Sequence, residues 1–272
     1  MQHFSAAPQE VFASAWRHRA LAASLISRDV LGRYRGSFFG ILWSFFNPLF
    51  MLAVYTFVFS VVFQARWGVQ SESRTEFALV LFAGLLVFNL FAECVNRAPT
   101  LILSTPNYVK KIVFPLEILP WVSLGSALFH ASISLTVWLL AHLLLRGWPP
   151  VTVVWLPLVL SPLLLLVLGL TWGLAALGVY LRDVAHVVSI LTLTLMFLTP
   201  IFYPASALPE EYRAVLMANP MARVVEQARD VMYWGVGPDW GQLVVNLAVS
   251  FGVAWLGFAW FQKTRRGFAD VL

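Results

Sequence analysis

Along the 272 residues, stretches free of Asp, Glu, Lys and Arg alternate with short polar segments. A helix needs about 20 apolar residues to span a bilayer's hydrocarbon core. Gly36–Ala65, Ile118–Leu145, Gly147–Leu181, Val184–Pro209 and Trp240–Gln262 meet that length, and Phe77–Ala92 does so when carried past Glu93 to about Asn96. Separate apolar runs of this length satisfy their own backbone hydrogen bonds only as helices, whereas a barrel would show shorter alternating segments. Four prolines, Pro149, Pro150, Pro157 and Pro162, place a loop or a kink early in the fourth run.

The predicted fold is an all-α integral membrane domain over residues 1–272, with no linker or repeat dividing it. Residues 1–35 form an interfacial helix, 36–262 a six-span bundle and 263–272 a tail. Six spans leave both termini on one side, and the positive-inside rule chooses that side. The termini side carries 12 Lys and Arg residues (17, 19, 28, 33, 35, 97, 110, 111, 182, 263, 265 and 266), the other side 6 (66, 74, 146, 213, 223 and 229). Both termini are therefore expected in the cytoplasm. In the first helix Phe12, Trp16, Ala23, Ile26 and Val30 share one side, with Arg17, His18, Arg28 and Asp29 opposite. Such a helix suits the cytoplasmic leaflet, where arginines meet anionic headgroups; the alternative is a cap packed on the bundle.

Composition narrows the function. Only 11% of residues are charged against 60% hydrophobic, too few to cover a water-facing surface of this size. The net charge of +5 comes from basic residues scattered between apolar runs, which gives no nucleic-acid footprint. The single Cys94 allows no internal disulfide, and no compact signal-peptide core precedes Gly36. No catalytic triad, paired-carboxylate or metal constellation stands out, and the spans hold few of the deep charges that an ion-coupled carrier needs. Glu93 and Arg97, four apart, read most simply as a pair within one helix near its end.

Four stretches, in order, carry a family resemblance. They are Arg33-Tyr34-Arg35-Gly36-Ser37 with Asn47-Pro48-Leu49; Lys110-Lys111-Ile112-Val113-Phe114-Pro115 running to Glu117-Ile118-Leu119-Pro120; Leu181-Arg182-Asp183-Val184; and Thr199-Pro200-Ile201-Phe202-Tyr203-Pro204, followed by Pro209, Asn219-Pro220 and Arg229-Asp230. The chain resembles the membrane permeases of bacterial ABC type-2 exporters for O-antigen, capsule and teichoic-acid polymers, and the O-antigen branch most closely. Leu116 departs from the pattern, which has a basic residue there. The resemblance implies a homodimer, two copies of a separate ATP-binding cassette subunit, and a lipid-linked polysaccharide moved from cytoplasm to periplasm across the bacterial inner membrane. This chain has no Gly-rich phosphate loop of its own, so ATP and Mg would sit on the partner and no cofactor on this chain. The alternatives are export of a small hydrophobic compound by the same architecture, and an ion-coupled secondary carrier.

The resemblance also assigns roles. Ala98–Val113, with Asn107, Tyr108, Lys110 and Lys111, would be a coupling helix docking on the ATPase, with Arg182 and Asp183 as a second contact; a basic loop and a helix-end ion pair are the plainer readings. Pro209, Asn219, Pro220, Arg229 and Asp230 would belong to a re-entrant outer gate flanking the exit, against a surface hairpin. For the channel, the first span offers two aromatic stripes, one with Trp43, Phe46 and Phe50, the other with Tyr55 and Phe59. Sugar rings stack on aromatic faces, although packing and lipid also recruit aromatics. In the fifth span Thr192, Thr199 and Tyr203 share a face, and hydroxyls in lipid point to protein or to water.

Overall fold

The computed structural model describes residues 5–62, 67, 74–110, 114–207, 209–212, 216 and 219–271, and every regular element among them is helical. Among the described residues five segments are long and apolar enough to cross a membrane: Gly40–Phe59, Thr75–Thr100, Leu116–Arg146, Val151–Tyr180 and Trp240–Val271. Their α-helical parts are α3 (Trp43–Tyr55), α4 (Arg74–Arg97), α6 (Leu119–Arg146), α7 (Leu156–Tyr180) and α10 (Trp240–Thr264). Ahead of them lie α1 (Glu10–Arg17) and α2 (Arg19–Tyr34), and between them α5 (Pro106–Lys110), α8 (Val184–Leu198) and α9 (Pro220–Arg229). The proline-rich start of the fourth run is a turn and a 3-10 segment, Val151–Trp155, and the α-helix begins at Leu156 with Pro157 in its first turn, where proline's missing N–H costs nothing.

Two boundaries differ from the sequence expectation. Among its described residues the fifth apolar run is α-helical only over Val184–Leu198. Thr199 is extended, at φ −95° and ψ 139°, because Pro200 disfavours helical geometry in the residue before it. At 1.5 Å per residue α8 is about 22 Å long, short of a full hydrocarbon core of about 30 Å. The single N-terminal helix is instead two, broken at His18 (φ −106°, ψ 21°). Its Trp16 is 71% exposed, while α2 packs on α6: a Cβ added to Gly125 would meet the Ile26 side chain at 2.3 Å.

The bundle is centred on α4, where every residue from Phe77 to Leu90 is buried except Asn89. The indole N–H of Trp138 on α6 donates to the Leu79 carbonyl at 2.9 Å, binding two spans across the core. α7 and α10 run side by side and parallel: Trp155 meets Trp240 at one end, and Tyr180 donates to the Thr264 carbonyl at 2.8 Å at the other. Midway their backbones touch. A Cβ on Gly257 would stand 2.1 Å from the Gly169 carbonyl oxygen, and one on Gly169 2.5 Å from that of Val253. Small residues that admit such approach are the main means of close packing between helices in lipid.

Candidate functional site

A cavity of about 510 Å³ opens between α3, α4, α6 and the end of α2. For a space among apolar spans its wall is polar. α3 contributes Ser44, Asn47 and Tyr55, α4 contributes Asn89, Glu93 and Asn96, and α6 contributes His130 and Ser134. Helical spacing explains the grouping, since residues 89, 93 and 96 recur at i, i+4 and i+7 and so share a face. Pro48, inside α3, lines the same wall.

At the cavity's end nearest α2, Glu93 accepts from two sides. Arg33 Nη2 stands 2.7 Å from its carboxylate, and His130 Nδ1 stands 2.9 Å from it. One turn along, Arg97 donates from both terminal nitrogens to Asp29, one bond measuring 2.6 Å. Asp29 and Arg33 are one turn apart on α2, and Glu93 and Arg97 one turn apart on α4. The acid precedes the base on both helices, so the two ladders cross-pair in a reciprocal double clasp. The reading of Glu93 and Arg97 as a pair within one helix is corrected here, since each has its partner on α2 and Glu93 a second on α6. Burial works against the charge on Asp29, but the hydrogen bond and charge of Arg97 outweigh it and hold the carboxyl below its ordinary range.

The two aromatic stripes of the first span face different surroundings. Trp43, Phe46 and Phe50 are exposed and border a second, apolar hollow of about 640 Å³. Tyr55 lines the polar cavity, and Phe59 stacks on Phe77 at 5.6 Å and on Phe202 at 5.8 Å. On α8 Thr192 is buried. Thr199, just beyond the helix, is buried as well, its hydroxyl donating to the Leu195 carbonyl at 2.7 Å. The hydroxyl of Tyr203 donates to the Phe197 carbonyl at 3.1 Å. Two of the three hydroxyls therefore pack against protein.

The coupling candidates collect at the end of the bundle that holds Tyr180 and Thr264. The Tyr108 ring stacks on Phe114 at 4.3 Å, and its hydroxyl accepts from Arg28. Asn107 is exposed on α5, as are Arg182 and Asp183 in the turn between α7 and α8. No ion pair joins Arg182 to Asp183 among the described residues. Lys111 and the side chain of Lys110 lie outside the described residues. Phe268, close to the C-terminus, packs on Tyr180 at the same end.

The gate candidates collect at the opposite end. Asn219 caps α9, its side-chain oxygen accepting from Met221 N at 2.9 Å, while its amide donates to the Thr199 hydroxyl at 3.1 Å. Pro220 follows as the first residue of α9 and is exposed, as is Pro209. Arg229 is buried, yet its partners are carbonyls rather than a carboxylate. It donates to Val80 at 3.0 Å, to Ile201 at 2.7 Å and to Pro200, and its guanidinium lies 4.4 Å from the centroid of the Trp67 ring. These bonds satisfy the backbone that Pro200 forces out of the α8 helix, and they tie α9 to both α4 and α8. Asp230 is half-buried beside it.

The signal that sequence reasoning missed is the carboxamide set. Asn47, Asn89 and Asn96 are the asparagines of two largely apolar runs, and the spacing of Asn89, Glu93 and Asn96 was readable. Among the described residues no group of three or more His, Cys, Asp and Glu is placed to hold a metal.

Comparison with known proteins follows the same course. The family model described as ABC-2 type transporter matches residues 21–233. The chain is 32% identical over 257 residues to the O-antigen export system permease protein of Myxococcus xanthus, covering 94% of this chain and 96% of that one. An O-antigen export system permease protein of Klebsiella pneumoniae is 25% identical over 255 residues, covering 93% and 95%. The polysialic acid transport protein of Escherichia coli is 23% identical over 215 residues, covering 78% and 81%.

Proposed function

The chain belongs to the ABC-2 type transporter family, and we propose that it is the channel-forming permease subunit of an ATP-driven exporter that carries lipid-linked, O-antigen-like polysaccharide across the bacterial inner membrane. The observation that carries this reading is the end-to-end likeness to the Myxococcus xanthus permease, which spans 94% of the chain. As a permease subunit the chain is not itself an enzyme; the energy comes from two copies of an ATP-binding partner that hold ATP and Mg, acting on a homodimer of this chain.

In this reading the chain is one domain that crosses the membrane six times, with both termini in the cytoplasm. The parallel run of α7 and α10 supports the count. The chain leaves α7 beside Thr264 and enters α10 beside Trp155, so residues 181–239 must return the whole length of the bundle. α8 covers about 22 Å of that return, and the segment from Thr199 onward completes it. The α5 loop, with Asn107, Tyr108, Lys110 and Lys111, and the turn at Arg182 and Asp183 then face the ATPase. α9, with Asn219, Pro220, Arg229 and Asp230, then forms with Pro209 the outer gate, where irregular backbone at membrane depth is tolerated because it rests on protein or water. The channel runs along the first span, whose Tyr55 opens on the polar cavity and whose Trp43 and Phe46 are free to meet a second copy. Thr192, Thr199 and Tyr203 stiffen its far wall.

Deleting the chain from its host tests the reading. Surface polysaccharide should disappear while the lipid-linked polymer accumulates inside, and re-expression should restore export. Undiminished surface polymer in the deletion strain would refute it.

A further inference from the structure

We propose that the cavity between α3, α4 and α6 is a saccharide site, in which Asn47, Asn89 and Asn96 recognise hydroxyl groups of the passing polymer. The proposal rests on the exporter reading and specifies where in this chain a sugar is held.

Carboxamides carry the argument first. Among the described residues the side chains of Asn47, Asn89 and Asn96 make no hydrogen bond, although all three line one cavity. An amide facing hydrocarbon without a partner costs several kcal/mol. Asn89 makes the point most sharply, as the one exposed position between Phe77 and Leu90. Three amides held at one wall require a polar occupant. An amide offers both donors and an acceptor, the complement of a hydroxyl, which is both at once.

Charge then selects the occupant. Glu93 is the cavity's carboxylate, and it is already engaged by Arg33 at 2.7 Å and His130 at 2.9 Å. With the guanidinium and the carboxylate cancelling, the wall offers no unpaired guanidinium to draw a phosphate or a carboxylate. The wall suits a neutral polyol. Tyr34, Tyr55 and Phe82 add flat apolar surface at the same wall, against which the C–H face of a pyranose packs. The volume of about 510 Å³ lies within the usual range of small-ligand pockets, about 300–1,000 Å³.

Two measurements test this. In a strain lacking the chain, Asn47→Leu/Asn89→Leu is compared with Asn47→Gln/Asn89→Gln, and surface polymer is normalised to the amount of chain in the membrane. The Leu pair should lower export about tenfold, as expected when two hydrogen bonds to a ligand are lost, and the Gln pair, which keeps the amides, should lose less. Wild-type export by the Leu pair, or equal loss by both pairs, overturns the proposal. In the second measurement the purified full-length chain in nanodiscs carries Ser134→Cys with Cys94→Ser and is treated with a thiol reagent. Maltotetraose should slow the labelling and inorganic pyrophosphate should not; protection by pyrophosphate alone, or by neither, overturns the proposal. If instead the wild-type chain fails to restore surface polymer, the exporter reading fails, and protection by maltotetraose still reports a sugar site.

Discussion

Replacing Arg97 with Ala removes one arm of the clasp between α2 and α4, and the structure sets the size of the effect. Asp29 and Arg97 keep 22% and 32% of their side-chain exposure, so the pair lies between a surface bridge and a buried one. Exposed pairs contribute about 0–1 kcal/mol, while stranding one partner of a buried pair costs about 3–5 kcal/mol. The two-pronged geometry strengthens the pair, and the remaining exposure screens it, so a loss of about 2 kcal/mol follows from these bounds. For a chain of this size that corresponds to roughly 4–8 °C in unfolding midpoint. Asp29→Ala should cost a similar amount. The double variant should cost much less than the sum, because most of each single loss is the charge left behind. The exchange Asp29→Arg/Arg97→Asp should recover more than half of the loss. The assay is denaturant unfolding of the purified chain in mixed micelles, run as a full double-mutant cycle. Additivity of the two Ala variants within about 0.5 kcal/mol would refute the clasp. The effect should also hold across neutral pH. Because the Asp29 carboxyl titrates below its ordinary range, its contribution is present above the unfolded carboxylate pKa and is lost only as pH falls through the depressed folded value.

Three further outcomes follow. Arg229→Met leaves the carbonyls of Val80, Pro200 and Ile201 without their donor and should cost about 2–3 kcal/mol, with faster proteolysis between residues 199 and 219; an unchanged digestion pattern and midpoint would remove the strut from the account. Gly257→Val drives a side chain into the Gly169 carbonyl and should destabilise by about 2 kcal/mol or more, read as a lower unfolding midpoint and yield, whereas a wild-type midpoint would mean that α7 and α10 can separate freely. Reporter fusions at Lys110 should be cytoplasmic and those after Trp234 external, and an external signal at Lys110 would invert the topology.

The spans were legible because lipid imposes a length and a composition that survive any tertiary detail, and the five long helices follow the apolar runs. The break at Thr199-Pro200 was also written locally, as a residue before proline, but a run free of charge outweighed it in counting span length. The partners of Glu93 and Arg97 were not legible. Spacing of four is equally compatible with a pair inside α4 and with two pairs to another helix, and only the docking of α2 decides between them. The same docking turned Asp29, which periodicity placed on a headgroup-facing side, toward α4. Arg229 sits beside Asp230 in sequence, yet its carbonyl partners come from residues 80, 200 and 201, a convergence that no local pattern encodes. The cavity was half legible: the polar rhythm of Asn89, Glu93 and Asn96 is in the sequence, but that Asn47 and His130 face the same space is a product of packing.

Transport itself is the most direct test. Inverted membrane vesicles containing this chain and its ATP-binding partner, loaded on their outer face with lipid-linked polysaccharide, should move polymer into the lumen when ATP is supplied. The polymer should then be protected from an added glycosidase until detergent opens the vesicles. Polymer that stays fully digestible with ATP, or that is protected equally when the ATP-binding partner is absent, would contradict the account of this chain as the membrane half of an ATP-driven polysaccharide exporter.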